Sequence, residues 1–397
     1  MSKSAFYSSA RRVECMDFSP VRKVLDRAKE LERTGRSIVH FEIGEPDFNT
    51  PGDIINATIT AMKNNMTHYG PNRGLPVLRK AICKKLAEDN QLDYDPDEEI
   101  IVTVGAAEAV LNTILAFIDE EDEVIVFTPA FMNYRNLIKM AGGKVVPIPL
   151  REENGFQINA SEVRAAITPK TRMILVNNPH NPTGTVFSED VLREIANIAV
   201  ENDLLVLSDE IYERIVYDGA KSVSMASFDG MKKRTITING FSKSHAMTGW
   251  RLGYLAADKK LIPPILKLHQ YVTTCAPTFL QSGVADAMET EKCKQDIELM
   301  VKTFASRRRL LLDGLSGIDG LTITEPKGAF YVFVNVSGTG LNGEEFATRL
   351  LENNGVALVP GVGFDSTFVD YVRISYATSE SQIQEGLKRM KEFVENL

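Results

Sequence analysis

The sequence predicts an α/β protein whose larger part is a doubly wound, mostly parallel sheet, joined to a smaller α+β unit. Between about residues 100 and 256, short runs of Val, Ile and Leu alternate with segments of helical periodicity. Apolar runs without in–out alternation are typical of strands buried on both faces, as in parallel sheets. After about residue 290, long helical patterns and separated strands indicate the smaller unit.

The first hundred residues predict two helices with a loop between them. Ser19 followed by Pro20 is typical of a helix start, and the helical pattern ends at Gly35. An alternating apolar segment at 38–43 leads into Gly-Glu-Pro-Asp-Phe at 44–48, whose composition indicates a loop. A second helical pattern covers residues 76–89.

The rest of the chain divides into regular apolar and amphipathic segments. Strands are predicted at 100–104, 124–127, 144–148, 172–176, 204–207, 235–238, 253–256, 329–334, 356–359 and 372–375. Helices are predicted at 106–118, 131–140, 261–271, 293–315, 344–354 and 380–395.

Composition excludes several classes of protein. The 397 residues carry a net charge of −8, which disfavours nucleic acid and anionic membranes as partners. The basic tract Arg307-Arg308-Arg309 lies in a leucine-containing helical pattern, and we expect it to form the solvated face of that helix. Residues 1–18 lack the apolar core of a signal peptide, and no apolar run approaches the roughly 18 residues of a membrane span.

Cysteine and histidine usage indicates a cytoplasmic protein without a metal site. The four cysteines, Cys15, Cys83, Cys275 and Cys293, are scattered and form no C-x-x-C pair, so we expect reduced thiols. The five histidines form neither H-E-x-x-H nor a cluster at zinc spacing.

One lysine, Lys243, follows a predicted buried strand directly. Small and polar residues surround it in the sequence, and the nearest acidic residues are Asp229 and Asp258. A lysine at a strand end can point into a site and form a Schiff base with a carbonyl cofactor. A solvated loop lysine is the alternative, and it is the more frequent meaning of so short a motif.

Small residues at a strand-to-helix junction, Gly105, Ala106 and Ala107, indicate an anion site. The free N–H groups of a helix start and its dipole attract anions, although many α/β crossovers share this pattern. Arg251, eight positions after Lys243, could supply a guanidinium to the same anion. Neither G-x-x-x-x-G-K-[ST] nor G-x-G-x-x-G occurs where a nucleotide site requires it.

Four further candidates follow other predicted strands. Asp209 ends an apolar run, where a carboxylate can keep a ring nitrogen protonated; a helix N-cap is the alternative. Tyr212, three residues on, could donate to an oxygen on the same ring. Asn181 lies in a loop stiffened by two X-Pro bonds, either of which could be cis. Phe131 could stack on a planar cofactor, although core packing is the more frequent role of a Phe.

Taken together, these segments resemble a known family. Residues 44–48, 178–184, 208–212, Ser242-Lys243 with Arg251, and 373–377 are similar, in order and spacing, to the fold-type I pyridoxal-phosphate aminotransferases. The resemblance is strongest to the class I/II aspartate/aromatic branch of bacteria and archaea, and it covers residues from about 10 to the C-terminus. Each motif alone is weak; five in the right order are specific.

The resemblance implies an activity, an assembly and a domain division. It implies a pyridoxal 5'-phosphate enzyme that moves an amino group between an L-amino acid and a 2-oxo acid, in a homodimer with shared active sites. It implies a large cofactor-binding domain over residues 47–285. The small domain would combine the N- and C-terminal segments, 1–46 and 286–397.

The roles implied around the cofactor ring fall on five residues. Lys243 would form the Schiff base and act as the base of the proton shift. Asp209 would pair with the ring nitrogen, and Asn181 and Tyr212 would contact the phenolic oxygen. Phe131 would stack on the ring, where other members carry Trp or Tyr.

The remaining implied roles concern the cofactor phosphate and the substrate. Ala106, Ala107 and Arg251 would hold the phosphate with Ser242 among the cofactor contacts, and Tyr69 would reach the phosphate from the neighbouring subunit. Arg373 would grip the substrate α-carboxylate, beside the Gly44 backbone and Asn181.

Two positions depart from the commoner family pattern. Residue 240 is Gly, where many relatives carry a phosphate-binding Ser, and residue 107 is Ala, where some aspartate-preferring members carry Lys. Residues 129–131 and 274–279 are more similar to relatives that accept aromatic or large apolar amino acids. We therefore expect such donors to be favoured over aspartate.

Other functions remain as alternatives. A pyridoxal-phosphate-dependent carbon–sulfur β-lyase on the same fold would need the same Lys, Asp and Arg. A cofactor-sensing domain of a transcription regulator is disfavoured, because the roughly 43 residues before Gly44 are too few for a winged-helix domain. A serine hydrolase is disfavoured because neither G-x-S-x-G nor S-x-x-K occurs.

Overall fold

Thirteen strands and thirteen α-helices lie in residues 9–14 and 16–397, the part of the chain that the computed structural model describes. The strands are β1 (Val39–His40), β2 (Ile100–Thr103), β3 (Glu123–Thr128), β4 (Lys144–Pro149), β5 (Thr171–Asn177), β6 (Leu205–Asp209), β7 (Thr235–Gly240), β8 (Gly253–Ala257), β9 (Thr322–Ile323), β10 (Tyr331–Asn335), β11 (Val356–Ala357), β12 (Val359–Pro360) and β13 (Tyr371–Ser375). The helices are α1 (Arg11–Glu14), α2 (Pro20–Arg33), α3 (Gly52–Lys63), α4 (Pro76–Asn90), α5 (Gly105–Phe117), α6 (Met132–Met140), α7 (Ala160–Ala166), α8 (Glu189–Glu201), α9 (Ile262–Val272), α10 (Thr278–Ala287), α11 (Glu291–Leu315), α12 (Gly343–Asn354) and α13 (Glu380–Glu395).

The larger sheet has seven strands in the order β2-β8-β7-β6-β5-β3-β4. All run parallel except β8, which is antiparallel to both of its neighbours. Strands such as β2 and β7 are buried along their whole length, because their β-branched side chains meet helices on both faces. The predicted doubly wound, mostly parallel sheet is confirmed.

One edge of this sheet collects the candidate site residues. The parallel strands β5, β6 and β7 end there at Asn177, Asp209 and Gly240. Strand β8 runs the other way and therefore begins at this edge, which brings Arg251 close to it. Open α/β sheets bind ligands beyond the carboxyl ends of their strands.

The smaller sheet is antiparallel, in the order β12-β13-β10-β9. Helices α12 and α13 pack with it around an aromatic core that includes Phe330 and Phe346. The segment of β1 joins this part, because β1 pairs with β11 and the Ser375 N–H donates to the Phe41 carbonyl at 2.8 Å. Residues near the two ends of the chain are thus packed together.

Element boundaries mostly agree with the sequence predictions, but five helices were not predicted: α1, α3, α7, α8 and α10. Helix α3 contains several β-branched residues that lower helix propensity. Its stability comes from close packing on α10, where a Cβ at Gly283 would lie 2.7 Å from the Thr58 backbone nitrogen. Tertiary contact overrides the local preference there.

The prediction that Arg307-Arg308-Arg309 forms a solvated face was wrong for two of the three residues. Arg307 and Arg308 are buried, and only Arg309 is exposed. Arg307 makes two hydrogen bonds, of 2.6 and 2.9 Å, to the Asp47 carboxylate, and Arg308 pairs with Asp218 at 2.7 Å. These acidic partners, which are distant in the sequence, offset the cost of burying the two guanidinium groups.

Replacing Arg307 with methionine is expected to lower the free energy of unfolding by about 1–3 kcal/mol, because it leaves the partly buried Asp47 unpaired. Chemical denaturation would measure the change. Arg309→Met is the control, because Arg309 lies two residues further along the same helix and is exposed. Its free energy of unfolding should stay within about 0.5 kcal/mol of that of the parent. Equal losses in both variants would contradict the role of the Asp47 pair.

Two expectations from composition can be compared with the described residues. Within residues 9–14 and 16–397, no helix is long and apolar enough to cross a membrane, and no group of side chains has the composition of a metal site. Cys83, Cys275 and Cys293 are free thiols, whereas Cys15 lies outside the described residues.

Candidate active site

A cavity of about 440 Å³ opens at the carboxyl edge of the larger sheet. Every site residue predicted from the sequence lines it except Tyr69. The predicted residues in the lining are Gly44, Ala106, Ala107, Phe131, Asn181, Asp209, Tyr212, Ser242, Lys243, Arg251 and Arg373.

The Lys243 amine faces the loop at residues 44–48 and not bulk solvent. Its Nζ donates to the Gly44 carbonyl at 2.5 Å and lies 5.7 Å from the centre of the Phe330 ring. Burial lowers the pKa of Lys243 to about 8, because the charged amine is poorly solvated there. At this pKa about a tenth of the amine is uncharged at pH 7. The solvated-loop alternative does not describe this lysine.

Asp209 places a carboxylate at the cavity floor, with only 6% of its surface exposed. Tyr134 Oη donates to Oδ2 at 2.6 Å, and the Ile211 N–H donates to Oδ1 at 3.2 Å. Burial raises the pKa of Asp209, against the opposing effect of these hydrogen bonds. The following residues form a turn and no α-helix, so the N-cap alternative does not hold. A cation in the cavity would stabilise the ionised form.

Arg251 lies directly against the start of α5. A Cβ at Gly105 would stand 2.6 Å from Arg251 Nη2, so a larger residue there would displace the guanidinium. Nη1 donates to the Thr248 carbonyl at 2.8 Å, which fixes the side chain. The first N–H groups of a helix have no intrahelical partner, so Ala106 and Ala107 add donors beside this cation. The arrangement suits an anion with several oxygens, such as a phosphate.

Arg373 is a second guanidinium in the cavity lining, and it is buried. Nη1 donates to Asn181 Oδ1 at 3.2 Å, and Nη2 donates to the Glu42 carbonyl at 2.7 Å. The group lies 4.4 Å from the centre of the Tyr331 ring. Burial lowers the pKa of Arg373, and within the described residues its Nε has no hydrogen-bond partner. A cation held this way can bind a carboxylate from the cavity.

Two tyrosines supply neutral hydroxyl groups between these charges. Tyr212 and Tyr331 share a hydrogen bond of 2.9 Å between their Oη atoms. Burial raises the pKa of both phenols, so both stay protonated at neutral pH. Asn181 is held nearby by its N–H bond to Asn177 Oδ1 at 2.9 Å, and the bonds that precede Pro179 and Pro182 are both cis.

Phe131 and Tyr69 differ in their placement. Phe131 lines the cavity and meets the Tyr134 ring edge-on at 5.7 Å between centres. Tyr69 is 89% exposed and lies on a second cavity with Cys275 and Thr278, away from the first. The structure of one chain therefore does not bring Tyr69 to the candidate site.

Several lining residues were not predicted. Tyr134 and Tyr331 are the most important, because they bond to Asp209 and Tyr212. Tyr134 lies three residues after Phe131 at the start of α6. This spacing turns both rings to the same side of the helix, so Tyr134 could have been predicted from the sequence together with Phe131. Tyr331 lies in an apolar strand, and nothing in the sequence around it indicates a place in the cavity lining. The first turn of α2, including Arg22, also lines the cavity.

Comparisons with known proteins agree on one family. The sequence matches the family model described as aminotransferase class I and II over residues 36–390. An aspartate aminotransferase of Pyrococcus abyssi is 44% identical over 380 residues, 96% of each chain. An aromatic-amino-acid aminotransferase 2 of Thermococcus litoralis is 42% identical over 380 residues, again 96% of each chain.

Solved structures show the same similarity. An aromatic aminotransferase from Pyrococcus horikoshii superposes with a TM-score of 0.89 at 43% identity, covering 94% of this chain and 99% of its own. An aspartate aminotransferase from Thermus thermophilus with maleate gives a TM-score of 0.93 at 39% identity, covering 98% of this chain and all of its own. Relatives of both substrate classes therefore share this fold almost end to end.

Proposed function

The chain belongs to the aminotransferase class I and II family and is an aminotransferase. We propose that it uses pyridoxal 5'-phosphate and favours aromatic or large apolar L-amino acids over aspartate. One observation carries the proposal. The buried Asp209 carboxylate and the Lys243 amine share a single cavity with the guanidinium groups of Arg251 and Arg373.

The residues present fit this cofactor. When bound, pyridoxal phosphate supplies a carbonyl that reacts with amines and a ring that takes up electrons from the substrate. Asp209 would hold the protonated ring nitrogen, and Asn181 and Tyr212 would bind the ring oxygen. Phe131 would cover one ring face.

The phosphate would lie at the start of α5. Ala106 and Ala107 would offer their N–H groups, and Arg251 would offer its guanidinium. Ser242, buried beside Lys243, would complete the cofactor contacts. A Cβ at Gly253 would lie 2.6 Å from the Ala106 nitrogen, so this glycine keeps the cradle open.

Proton transfer would fall to Lys243. Its pKa of about 8 lets the amine exist uncharged near neutral pH, accept a proton from the substrate α-carbon and return it at a different atom. Arg373, with the Gly44 backbone and Asn181 beside it, would orient the substrate through its α-carboxylate. Fixed orientation selects which bond of the α-carbon breaks.

The assembly and location belong to the same proposal. Tyr69 and Tyr271 are large side chains exposed at 89% and 83%, which a second copy of the chain would cover. In a homodimer with shared active sites, Tyr69 would reach the phosphate of the partner. We further propose a cytoplasmic enzyme with a large domain over 47–285 and a small domain from 1–46 and 286–397.

The cavity lining supports the proposed donor preference. Val21, Phe131 and Met132 present apolar surface, and residue 107 is Ala, so no lysine offers itself to a distal carboxylate there. Arg22, which is exposed at the same cavity, could bind the distal carboxylate of an acidic second substrate such as 2-oxoglutarate. The substrates are thus an aromatic or large apolar amino acid and a 2-oxo acid.

Steady-state kinetics with 2-oxoglutarate as acceptor test the preference. We expect kcat/KM for phenylalanine to exceed that for aspartate by at least about 10-fold, because its benzyl side chain buries apolar area against Phe131 and Met132 that the aspartate side chain does not. Equal or better turnover of aspartate would contradict the preference. Pyruvate and ammonia released from a cysteine conjugate without any acceptor would instead assign the site to the β-lyase alternative.

A further inference from the structure

A pair of charged side chains, His40 and Glu42, belongs to the segment whose backbone binds Arg373. Glu42 is fully buried, and its Oε1 lies 2.7 Å from His40 Nδ1. Within the described residues, the other carboxylate oxygen has no hydrogen-bond partner. The far side of the imidazole, Nε2, lies 3.1 Å from Glu32 on α2. His40 is therefore the close partner of a carboxylate that water does not reach.

The backbone next to this pair holds two cations of the candidate site. The Glu42 carbonyl accepts from Arg373 Nη2 at 2.7 Å, and the Gly44 carbonyl accepts from Lys243 Nζ at 2.5 Å. A shift of residues 42–44 would therefore move the substrate-binding guanidinium and the amine together. The His40–Glu42 contact ties this short segment to the end of β1.

Charge makes the contact important for binding. The buried Glu42 carboxylate interacts electrostatically with Arg373. It therefore competes with a substrate carboxylate for the same guanidinium, unless another cation neutralises it. The hydrogen bond and charge of Glu42 raise the pKa of His40 to about 9, although partial burial opposes the shift. The imidazole is thus a cation at neutral pH.

The other groups near His40 do not replace it. Strand β11, which pairs with β1, contributes Val356 and Ala357 and no charge. From α13, the Arg389 guanidinium binds the Ser37 carbonyl at 2.8 Å. Glu32 adds a second, more exposed acid on the solvent side.

We propose that His40 is a positioning residue for substrate binding, which neutralises Glu42 so that this carboxylate does not offset the attraction of Arg373 for the substrate α-carboxylate. The inference rests on the proposed role of Arg373. His40 and Glu42 do not touch the substrate, so they act through Arg373 and through residues 42–44.

Binding of 3-phenylpropionate, an unreactive carboxylate, to the holoenzyme tests this directly by calorimetry, with KM and kcat measured beside it. His40→Gln should raise the dissociation constant and both KM values roughly 5–30-fold, with kcat within about threefold, because an unpaired anion then faces Arg373. The double variant His40→Gln/Glu42→Gln should return to within about threefold of the parent. Glu32→Gln, which changes only the exposed partner, is the matched control and should change little.

The pH profile separates charge balance from simple structural damage. His40 should be fully charged below about pH 6.5 and lose its proton as pH rises through about 9. The parent should therefore bind 3-phenylpropionate more weakly above about pH 9, and the double variant should lack that transition. Thermal unfolding of each variant identifies any that fails to fold, in which case the profile of the parent still decides.

Two results would overturn the inference: losses that add up in the double variant, or a parent whose binding does not weaken above pH 9. Failure of the proposed function looks different. A parent that binds 3-phenylpropionate with the expected pH profile but transfers no amino group would refute the transaminase chemistry and keep the role of His40.

Discussion

Replacing Lys243 with alanine is expected to lower kcat for transamination by at least about 10⁴-fold, since the variant loses both its covalent hold on the cofactor and its proton-transfer group. The cofactor itself should still bind, because Arg251 and the start of α5 remain. Kinetics with phenylalanine and 2-oxoglutarate, together with the visible spectrum of the purified protein, would measure both effects.

Two controls define this result. Lys243→Arg keeps a cation in place but offers no nucleophile and no group that gives up a proton near neutral pH, so it should be equally inactive. Lys221→Ala removes an exposed lysine and should leave kcat unchanged within about twofold. A Lys243→Ala enzyme with more than a tenth of the parent activity would contradict the role given to this amine.

Replacing Asp209 with alanine is the second large effect, with kcat expected to fall roughly 10²–10⁴-fold. Without a buried carboxylate facing it, a ring nitrogen in this cavity would lose its proton and the ring would accept electrons poorly. Asp209→Asn keeps the shape but not the charge and should lose nearly as much. Tyr134→Phe removes only the 2.6 Å hydrogen bond to Asp209 and should cost about 3–10-fold.

A cofactor analogue methylated at the ring nitrogen distinguishes the explanation from misfolding. Its ring carries a permanent positive charge, so it should restore much of the activity of Asp209→Ala. No rescue in a variant that unfolds at the same temperature as the parent would show that Asp209 acts in some other way.

The fold and most of the cavity lining were predictable because they follow from one regularity. Buried parallel strands read as uninterrupted apolar runs, and their carboxyl ends must meet at one edge. A polar residue directly after such a run, as at Asp209 or Lys243, is therefore placed at that edge by sequence alone. Arg251 reaches it because β8 runs in the opposite direction.

Partners brought together by tertiary structure were not predictable. Tyr331 lies in β10 of the smaller sheet, whereas Tyr212 lies in the turn after β6, and 119 residues separate them along the chain. Arg307 was assigned to solvent because its sequence neighbours are charged, whereas its partner Asp47 is 260 residues away. Glu42 reads as the polar position of an alternating segment, and only the packing of β1 on β11 and β13 buries it.

The central claim, that this cavity transfers an amino group from an L-amino acid, is tested most directly by spectral titration. The holoenzyme is titrated with phenylalanine while no acceptor is present. We predict that its absorbance band near the visible edge disappears and that one phenylpyruvate forms for each active site. A band that persists under excess phenylalanine and excess aspartate, while a cysteine conjugate is converted to pyruvate and ammonia, would contradict the claim.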